Sequence, residues 1–227
     1  MAMPTRVQTP ETIRDDFDRL ALLPDGWNHN RHYHRWLLRH VPAGCEDALD
    51  AGCGTGEFAR QLALRCRRVL GIDLSPGMID QARRRSAGRR ALKFRVADLM
   101  DEAWAPRFDC IATIATLHHL PLEPALARLA GAVRSGGVLL VLDVAASRNA
   151  IERLWAARAM PVAIALRLWH TRRLRPARAE RQAWDAHGRT DRYSTLAEVR
   201  AACARVLPGA RVRHHLLWRY SIVWNKP

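Results

Sequence analysis

The stretch LDAGCGTGEFA at residues 49–59 decides how this chain folds. Its three glycines stand between a short apolar run, DALDAG (47–52), and a segment with helical spacing, EFARQLALRC (57–66). The glycines are Gly52, Gly54 and Gly56. Because they lack β-carbons, the backbone can turn sharply there and a ligand can approach it closely. The stretch therefore predicts a buried strand, a glycine-rich binding loop and a helix.

The alternation of strand and helix continues beyond this loop. Further strands are predicted at RVLGIDL (68–74), LKFRVADL (92–99), FDCIATIATL (108–117) and VLLVLDV (138–144). Helices are predicted at SPGMIDQARRRSA (75–87), with Ser75 as N-cap, and at EPALARLAGAVR (123–134). Such βαβ units form parallel sheets with right-handed crossovers. The chain ends in two alternating segments, 210–217 and 219–226, which are too close together to pair other than antiparallel. We expect an α/β fold with a doubly wound, mostly parallel sheet and an antiparallel C-terminal hairpin.

We expect a single domain over residues 1–227, with two additions to the sheet. One is an N-terminal helical cap over residues 1–45, and the other is a basic insertion or lid at 147–190, after strand five. The insertion holds ten arginines against Glu152, Glu180 and Asp185. Three interpretations stay open: recognition of an acidic or phosphorylated substrate, a solvated helix pair, or a basic amphipathic segment on a membrane surface. The last is disfavoured because Pro161 is expected to interrupt the segment and because the arginines are not confined to one face. A helix follows at 194–207, where Thr195 and Glu198 have capping-box spacing.

Composition restricts the class of protein. The 227 residues include 37 Lys plus Arg against 22 Asp plus Glu, which gives a formal charge of +15. Nearly all of the basic residues are arginines. Because a GC-rich genome by itself also produces an excess of arginine, the charge is weak evidence for nucleic-acid binding. The five cysteines form no C-x-x-C pair, which argues against a disulfide framework or a zinc knuckle. No apolar run approaches a membrane span, and the N-terminus does not read as a signal peptide, so we expect a cytoplasmic protein.

Two acids indicate which ligand the loop binds. The glycine spacing is G-x-G-x-G, whereas dinucleotide-binding loops have G-x-G-x-x-G. Asp50 precedes the glycines, where its charge suits an ammonium group better than a pyrophosphate. Asp73 ends the second strand, where a carboxylate can accept hydrogen bonds from both hydroxyls of a ribose. The pattern predicts a nucleoside with a cationic, amino-acid-like end and no phosphate.

Over residues 47–144 the chain resembles the class I S-adenosylmethionine (SAM)-dependent methyltransferases. The matching segments are LDAGCGTG, GIDLS, VADLMD and FDCIATIATLHHL. The resemblance implies a Rossmann-like, seven-stranded sheet and SAM as cofactor, with S-adenosylhomocysteine as product. It also implies which residues bind the cofactor: Asp50, Gly52, Gly54, Gly56 and Ile114 at the methionine end, Asp73 at the ribose, and Leu74, Met78, Asp98 and Leu99 at the adenine.

The absence of certain motifs narrows the range of possible methyl acceptors. The segment after strand four lacks the [DN]-P-P-[YF] motif of enzymes that act on nucleobases or glutamine amides, and it has no acid pair for magnesium. We therefore expect a small-molecule acceptor, methylated on O or N. The alternatives are a methyltransferase acting on RNA or a peptide, and a SAM-binding protein that does not methylate, such as a cyclase or regulator. His119, in LHHL after strand four, is a candidate catalytic residue, although this motif is also used for structure.

The segment WNHNRHYHRW at residues 27–36 allows several interpretations. A metal site is disfavoured, because its histidines cannot all face one ion on a helix and no acid or cysteine joins them. Arginines and aromatic residues could bind a nucleic-acid strand. We favour a helix that folds over the carboxyl edge of the sheet, where His32, Tyr33 and His34 would contact the acceptor or supply a base. Ordinary packing of these residues is an equal alternative.

Overall fold

The computed structural model describes residues 9–227, except 24–25, 102–103, 148–149, 174, 176–177, 179–180, 183–187 and 189–190. The strands are β1 (Asp47–Ala51), β2 (Arg68–Asp73), β3 (Leu92–Val96), β4 (Phe108–Ile114), β5 (Val133–Val144), β6 (Arg211–His215) and β7 (Arg219–Asn225). The α-helices are α1 (Pro10–Leu20), α2 (Arg31–Leu38), α3 (Glu57–Leu62), α4 (Pro76–Arg85), α5 (Leu122–Ala132), α6 (Ala150–Thr171) and α7 (Leu196–Val206). A short 3₁₀ helix, Leu117–His119, follows β4.

The strands form one seven-stranded sheet in the order β3-β2-β1-β4-β5-β7-β6. The strands β1 to β5 are parallel, while β7 runs antiparallel to both β5 and β6. The expected fold class is thus confirmed. The strand order reverses between β1 and β4, and in open α/β sheets ligands bind at the carboxyl ends of the strands beside such a reversal. The glycine loop follows β1 at this point.

The core lies on both faces of the sheet. Ala48, Cys110 and Leu140 pack under α2 and α3 on one face, whereas Leu49 and Ile111 pack under α5 and α7 on the other. A strand that is covered on both sides buries every side chain, which explains why the segment VLLVLDV is an uninterrupted apolar run.

Several elements differ in length from their sequence predictions. β4 ends at Ile114 because Ala115 has a φ of 53°, a left-handed conformation that a strand cannot hold. β5 begins at Val133, earlier than expected, and its pairing with β4 is irregular between Phe108 and Cys110. The predicted N-caps are confirmed: Ser75 accepts from the Met78 amide, and Thr195 forms a capping box with Glu198.

Pro161 does not interrupt the insertion. α6 is one helix from residue 150 to 171, and Pro161 lies on its exposed side. Most of residues 174–190 lie outside the described part of the chain, so the lid stays a prediction. The described part of the N-terminal cap contains α1 and α2. Among the described residues, no helix is long and apolar enough to cross a membrane.

Candidate active site

The glycine loop is held in left-handed conformations. Gly52, Gly54 and Gly56 have φ values of 73°, 50° and 74°. A β-carbon on Gly52 would lie 2.1 Å from Thr116 Oγ1, and one on Gly56 would lie 2.8 Å from the Phe94 ring. A β-carbon on Gly54 would meet nothing within 4 Å. Gly52 and Gly56 are therefore required by close packing as well as by backbone conformation, whereas the space beside Gly54 is open.

Asp73 links the glycine loop to the start of α4. Its carboxylate accepts hydrogen bonds from the amides of Gly54 (2.8 Å) and Ser75 (2.9 Å). Burial raises the pKa of Asp73 above its ordinary value, although these amides act in the opposite direction. A carboxylate has four lone-pair positions, so Asp73 retains acceptor capacity beyond its two amide partners.

Asp50 is the most deeply buried acid of the loop region, with 1 % of its surface exposed. Its Oδ2 atom has no hydrogen-bond partner among the described residues. Burial raises the pKa of Asp50 to about 7, and the charge of Asp73 adds to this shift, while the Ala59 amide opposes it. A buried carboxyl group with an unpaired oxygen is costly unless a donor or a cation completes it. The ammonium group expected from the sequence would be both a hydrogen-bond donor and a cation for this oxygen.

The other expected cofactor-binding residues also follow the carboxyl ends of strands. Leu74 and Met78 come after β2, and Met78 is buried against Leu20 and Ala21 of α1. Asp98 follows β3 and accepts a hydrogen bond from the Met100 amide at 2.7 Å. The remaining two are buried Leu99 and Ile114, the last residue of β4. The fold brings the segments that carry these candidates to one edge of the sheet.

Helix α1 crosses this edge, which the sequence did not predict in detail. Asp18 accepts hydrogen bonds from the Gly77 amide (2.9 Å) and from the Ser75 hydroxyl, at the start of α4. On the other side of the point where the strand order reverses, Phe17 packs edge-on against His119, with ring centroids 5.5 Å apart. α1 thus connects the segment after β2 with the segment after β4.

A buried polar cluster lies after β4 and β5. His118 Nδ1 is 2.6 Å from Asp143 Oδ1, and the side chains are 7 % and 0 % exposed. Burial lowers the pKa of His118, but the charge and hydrogen bond of Asp143 outweigh it, so the pKa is raised. His119 Nδ1 is 3.6 Å from Asp191 Oδ1, and Tyr193 donates to Asp191 at 2.6 Å. His119 is the candidate expected from the sequence, but the shorter contact to a carboxylate is made by His118.

Three members of this cluster have the side chains of a metal site. Ligand atoms of His118, His119 and Asp191 lie within 4.8 Å of one another. Imidazole nitrogens and a carboxylate are ligands of transition metals such as zinc. Asp143 and Tyr193 hydrogen-bond to His118 and Asp191. Such outer hydrogen bonds are compatible with a bound metal as well as with an ion-pair network that holds none.

The segment 27–36 packs largely on the protein itself. His34 is buried, and its Nδ1 is 3.0 Å from Gln61 of α3; burial lowers the pKa of His34 to about 4. Tyr33 is buried and donates a hydrogen bond to the Leu216 carbonyl in the turn between β6 and β7. His32 is exposed and lines an open pocket of about 570 Å³ beside β6, which no glycine-loop residue lines. Of the three candidates, the structure places none in contact with the glycine loop.

Comparison with known proteins agrees with this architecture. Residues 49–141 match the family described as "Methyltransferase domain". The chain is 31 % identical to an uncharacterized methyltransferase of Mycobacterium tuberculosis over 207 residues, 88 % of this chain and 98 % of that one. It is 40 % identical to the malonyl-[acyl-carrier protein] O-methyltransferase of Serratia marcescens over 106 residues, 44 % of this chain and 39 % of that one.

A solved structure shares the fold over nearly the whole length. The N-methyltransferase NodS of Bradyrhizobium japonicum, in complex with S-adenosylhomocysteine, superposes with a TM-score of 0.64 at 18 % identity, covering 94 % of this chain and 98 % of that one. The Mycobacterium tuberculosis relative, the matched methyltransferase domain and the strand order of the sheet all indicate the same family. The chain belongs to the class I SAM-dependent methyltransferase family and is an enzyme that uses SAM as its cofactor.

Proposed function

We propose that the enzyme transfers the methyl group of SAM to an oxygen or nitrogen atom of a small-molecule metabolite and releases S-adenosylhomocysteine. The observation that carries this proposal is the position of α1. Its contacts to Ser75 and Gly77 on one side, and to His119 on the other, bridge the carboxyl edge of the sheet. A bridged edge favours a small acceptor over a polymer. Two relatives are named as an O- and an N-methyltransferase, which supports both acceptor atoms.

The cofactor fits the residues present. Asp50 offers a buried oxygen without a hydrogen-bond partner to the ammonium group, and Asp73 offers its remaining lone pairs to the ribose hydroxyls. The open side of Gly54 leaves the loop backbone approachable. We assign Gly52, Gly54, Gly56 and Ile114 to the methionine end with Asp50, and Leu74, Met78, Asp98 and Leu99 to the adenine. The methyl group of a sulfonium is already electrophilic, and the sulfide that departs when the methyl group is transferred is neutral.

The protein's main task is therefore to align the acceptor with the methyl group and to keep water away. Such alignment contributes roughly 7–11 kcal/mol to lowering a barrier. His119 is the one candidate catalytic residue beside α1 at the carboxyl edge, and we keep it as an acceptor contact. The contacts of Tyr33 and His34 support packing roles, and the exposed position of His32 supports no contact with the methyl group. We also propose a cytoplasmic enzyme, supported by five buried cysteines with free thiols.

A substrate screen tests the proposal. The purified chain is incubated with SAM and with pools of small carboxylic acids, hydroxyl compounds and amines, or with total RNA or peptides. We expect S-adenosylhomocysteine formation with a small-molecule pool and a mass gain of one methylene unit in one component. Activity on RNA alone, falling steeply from about 50 to about 500 mM salt, would contradict the proposal. Tight SAM binding with no turnover on any pool would instead favour a non-methylating protein.

A further inference from the structure

An exposed apolar face on α6 is not explained by methyl transfer. Five large apolar side chains of this helix are open to solvent. They are Leu154 (70 % exposed), Met160 (52 %), Ile164 (44 %), Leu168 (45 %) and Trp169 (79 %). We call these five residues the α6 face. Single exposed apolar residues are common on proteins, but a contiguous set along one helix marks an interaction surface.

The opposite side of α6 is firmly anchored. Ala159 and Ala163 are buried in the core, and Val162 and Leu166 pack against it. At about 100° per residue, these four positions lie on the side of the helix opposite Ile164 and Leu168, while Trp169 lies at the edge of the α6 face. Near its C-terminus, His170 stacks on Trp27 with ring centroids 5.2 Å apart and planes 9° apart. The α6 face is therefore presented outward by a helix whose rotation about its own axis is fixed by packing.

Exposed arginines accompany the α6 face, most densely at its C-terminal end. Arg172, Arg173 and Arg175 follow Trp169, whereas Arg153 precedes Leu154 and Arg158 lies between Leu154 and Met160. Between residues 150 and 175 the sequence contains one acid, Glu152. From Leu154 to Trp169 the face spans about 22 Å at 1.5 Å per residue. An apolar helix face with arginine flanks and a tryptophan at its border is the chemistry of helices that lie in a lipid headgroup region.

We propose that the α6 face docks on an anionic membrane surface, with its apolar side chains among the acyl-chain ends and its arginines at the lipid phosphates. Acidic headgroups complement the arginines, whereas a second copy of the chain would bring arginine clusters against each other in a two-fold interface. The helix would lie in the interface without crossing the bilayer, in agreement with the absence of a spanning helix among the described residues. This inference does not depend on which acceptor is methylated.

Vesicle sedimentation tests this docking directly. The full chain is mixed with vesicles of phosphatidylcholine alone, or of phosphatidylcholine with about one third phosphatidylglycerol, since anionic lipid strengthens such binding. We expect sedimentation with the anionic vesicles, weak sedimentation with the neutral ones, and release by added salt. The double variant Leu168→Glu/Trp169→Glu should lower the partition coefficient at least tenfold. Arg172→Glu/Arg173→Glu should weaken binding to anionic vesicles only.

The control is Leu64→Glu. Leu64 is 74 % exposed in the turn after α3, on a different part of the surface, so its replacement should leave vesicle binding unchanged. Melting temperature and SAM affinity are measured for each variant, and Trp169→Ser replaces the double variant if that one does not fold. Vesicle binding that is absent in the wild type, or unaffected by the α6 substitutions, overturns the proposal. A dimer that becomes a monomer in the double variant, without vesicle binding, also overturns it and identifies the face as a contact between copies.

Discussion

The acidic residues at the amino ends of β1 and β4 differ in their pKa values from those at the carboxyl ends of β1 and β2. At the amino ends, Asp47 accepts hydrogen bonds from Arg68, and Asp109 accepts from Arg134 and from two amides, so the pKa of both acids is lowered. At the carboxyl ends, burial raises the pKa of Asp50 and Asp73. The amino-end acids stabilise the fold in their charged form. Asp50 and Asp73 cost stability when charged, which is expected of groups positioned for a ligand.

A second difference is burial of the ion pairs themselves. The His118–Asp143 pair is almost completely buried, whereas Arg68 in the Arg68–Asp47 pair is 57 % exposed. Water screens the exposed pair but not the buried one, so losing one partner has very different consequences. The predictions below test these contrasts, beginning with the largest expected effect.

Replacing His118 with Ala should produce the largest loss of stability. It removes the cation that pairs directly with buried Asp143, whose remaining donors are the amides of residue 118 and Val144, and breaking a buried pair in this way typically costs about 3–5 kcal/mol. Chemical denaturation measures this loss. Adding Asp143→Asn to the variant removes the stranded charge and should recover a large part of it. If the second substitution makes the protein still less stable, Asp143 has other partners that carry its charge.

The His118–Asp143 pair should also have a defined pH window. Because the pKa of His118 is raised from 6.5, its contribution is complete below that value and is lost as the pH rises through the folded-state pKa. Because the pKa of Asp143 is lowered from 3.8, its contribution is present above that value and is lost as the pH falls through the folded-state pKa. The stability difference between wild type and His118→Ala should therefore peak between these limits.

Asp73→Ala should weaken SAM binding at least tenfold. Hydrogen bonds to a charged group contribute roughly 1.5–3 kcal/mol each, and the substitution removes the ribose acceptor together with the anchor of the Gly54 amide. Isothermal titration with SAM measures the effect. Asp47→Ala is the control from the other end of the strands: it should lower the melting temperature and leave the SAM affinity of the folded protein unchanged. Equal SAM affinity in Asp73→Ala and wild type would refute the assignment of the ribose site.

Asp50 should make SAM binding depend on pH. With a pKa of about 7 in the unliganded protein, its carboxyl group must lose a proton to pair with the ammonium group. SAM affinity should therefore rise with pH up to about 7 and then level off, with proton release on binding detected by calorimetry in buffers of different ionisation enthalpy. Asp50→Asn should abolish both the slope and the release. A pH-independent affinity in the wild type would argue against contact between Asp50 and the cofactor.

The same group gives a stability slope of opposite sign. Without SAM, the folded state holds a proton on Asp50 that the unfolded chain, with a pKa of 3.8, has already lost. Stability should therefore fall as the pH rises from about 4 to about 7, by at most about 1.4 kcal/mol per pH unit. The difference between wild type and Asp50→Asn isolates this contribution from those of other groups.

The sequence predicted the fold and the cofactor because their signals are local. The glycine loop lies within eleven residues, and the strands carry continuous apolar runs that a two-sided parallel sheet requires. Asp73 was predicted to bind the ribose from its position at the end of the second strand, and the structure shows that it also accepts a hydrogen bond from the Gly54 amide.

Features that depend on distant contacts were missed. Asp18 meets Ser75 across 57 residues, and His119 meets Asp191 across a similar interval, so no local pattern marks either contact. For α2, the sequence predicted a helix but could not tell which of its sides packs on the protein. The structure buries Tyr33 and exposes His32. Pro161 was expected to interrupt the insertion, yet its ring lies on the exposed side of α6 and the helix continues.

Arg68→Ala should have the smallest effect. Its guanidinium pairs with Asp47 through two short contacts (2.6 and 2.9 Å), but it is largely exposed, and Arg134 remains 3.1 Å from the same carboxylate. Exposed pairs contribute little to stability because water screens them, and added salt should reduce the difference further. Because Arg68 is the main cause of the lowered pKa of Asp47, the difference should also shrink as the pH falls through that pKa. Denaturation at low and high salt measures both effects. A loss as large as that of His118→Ala would mean that the amino-end acids depend on their partners as strongly as buried Asp143 does, and the contrast between the two ends would then lie in ligand binding alone.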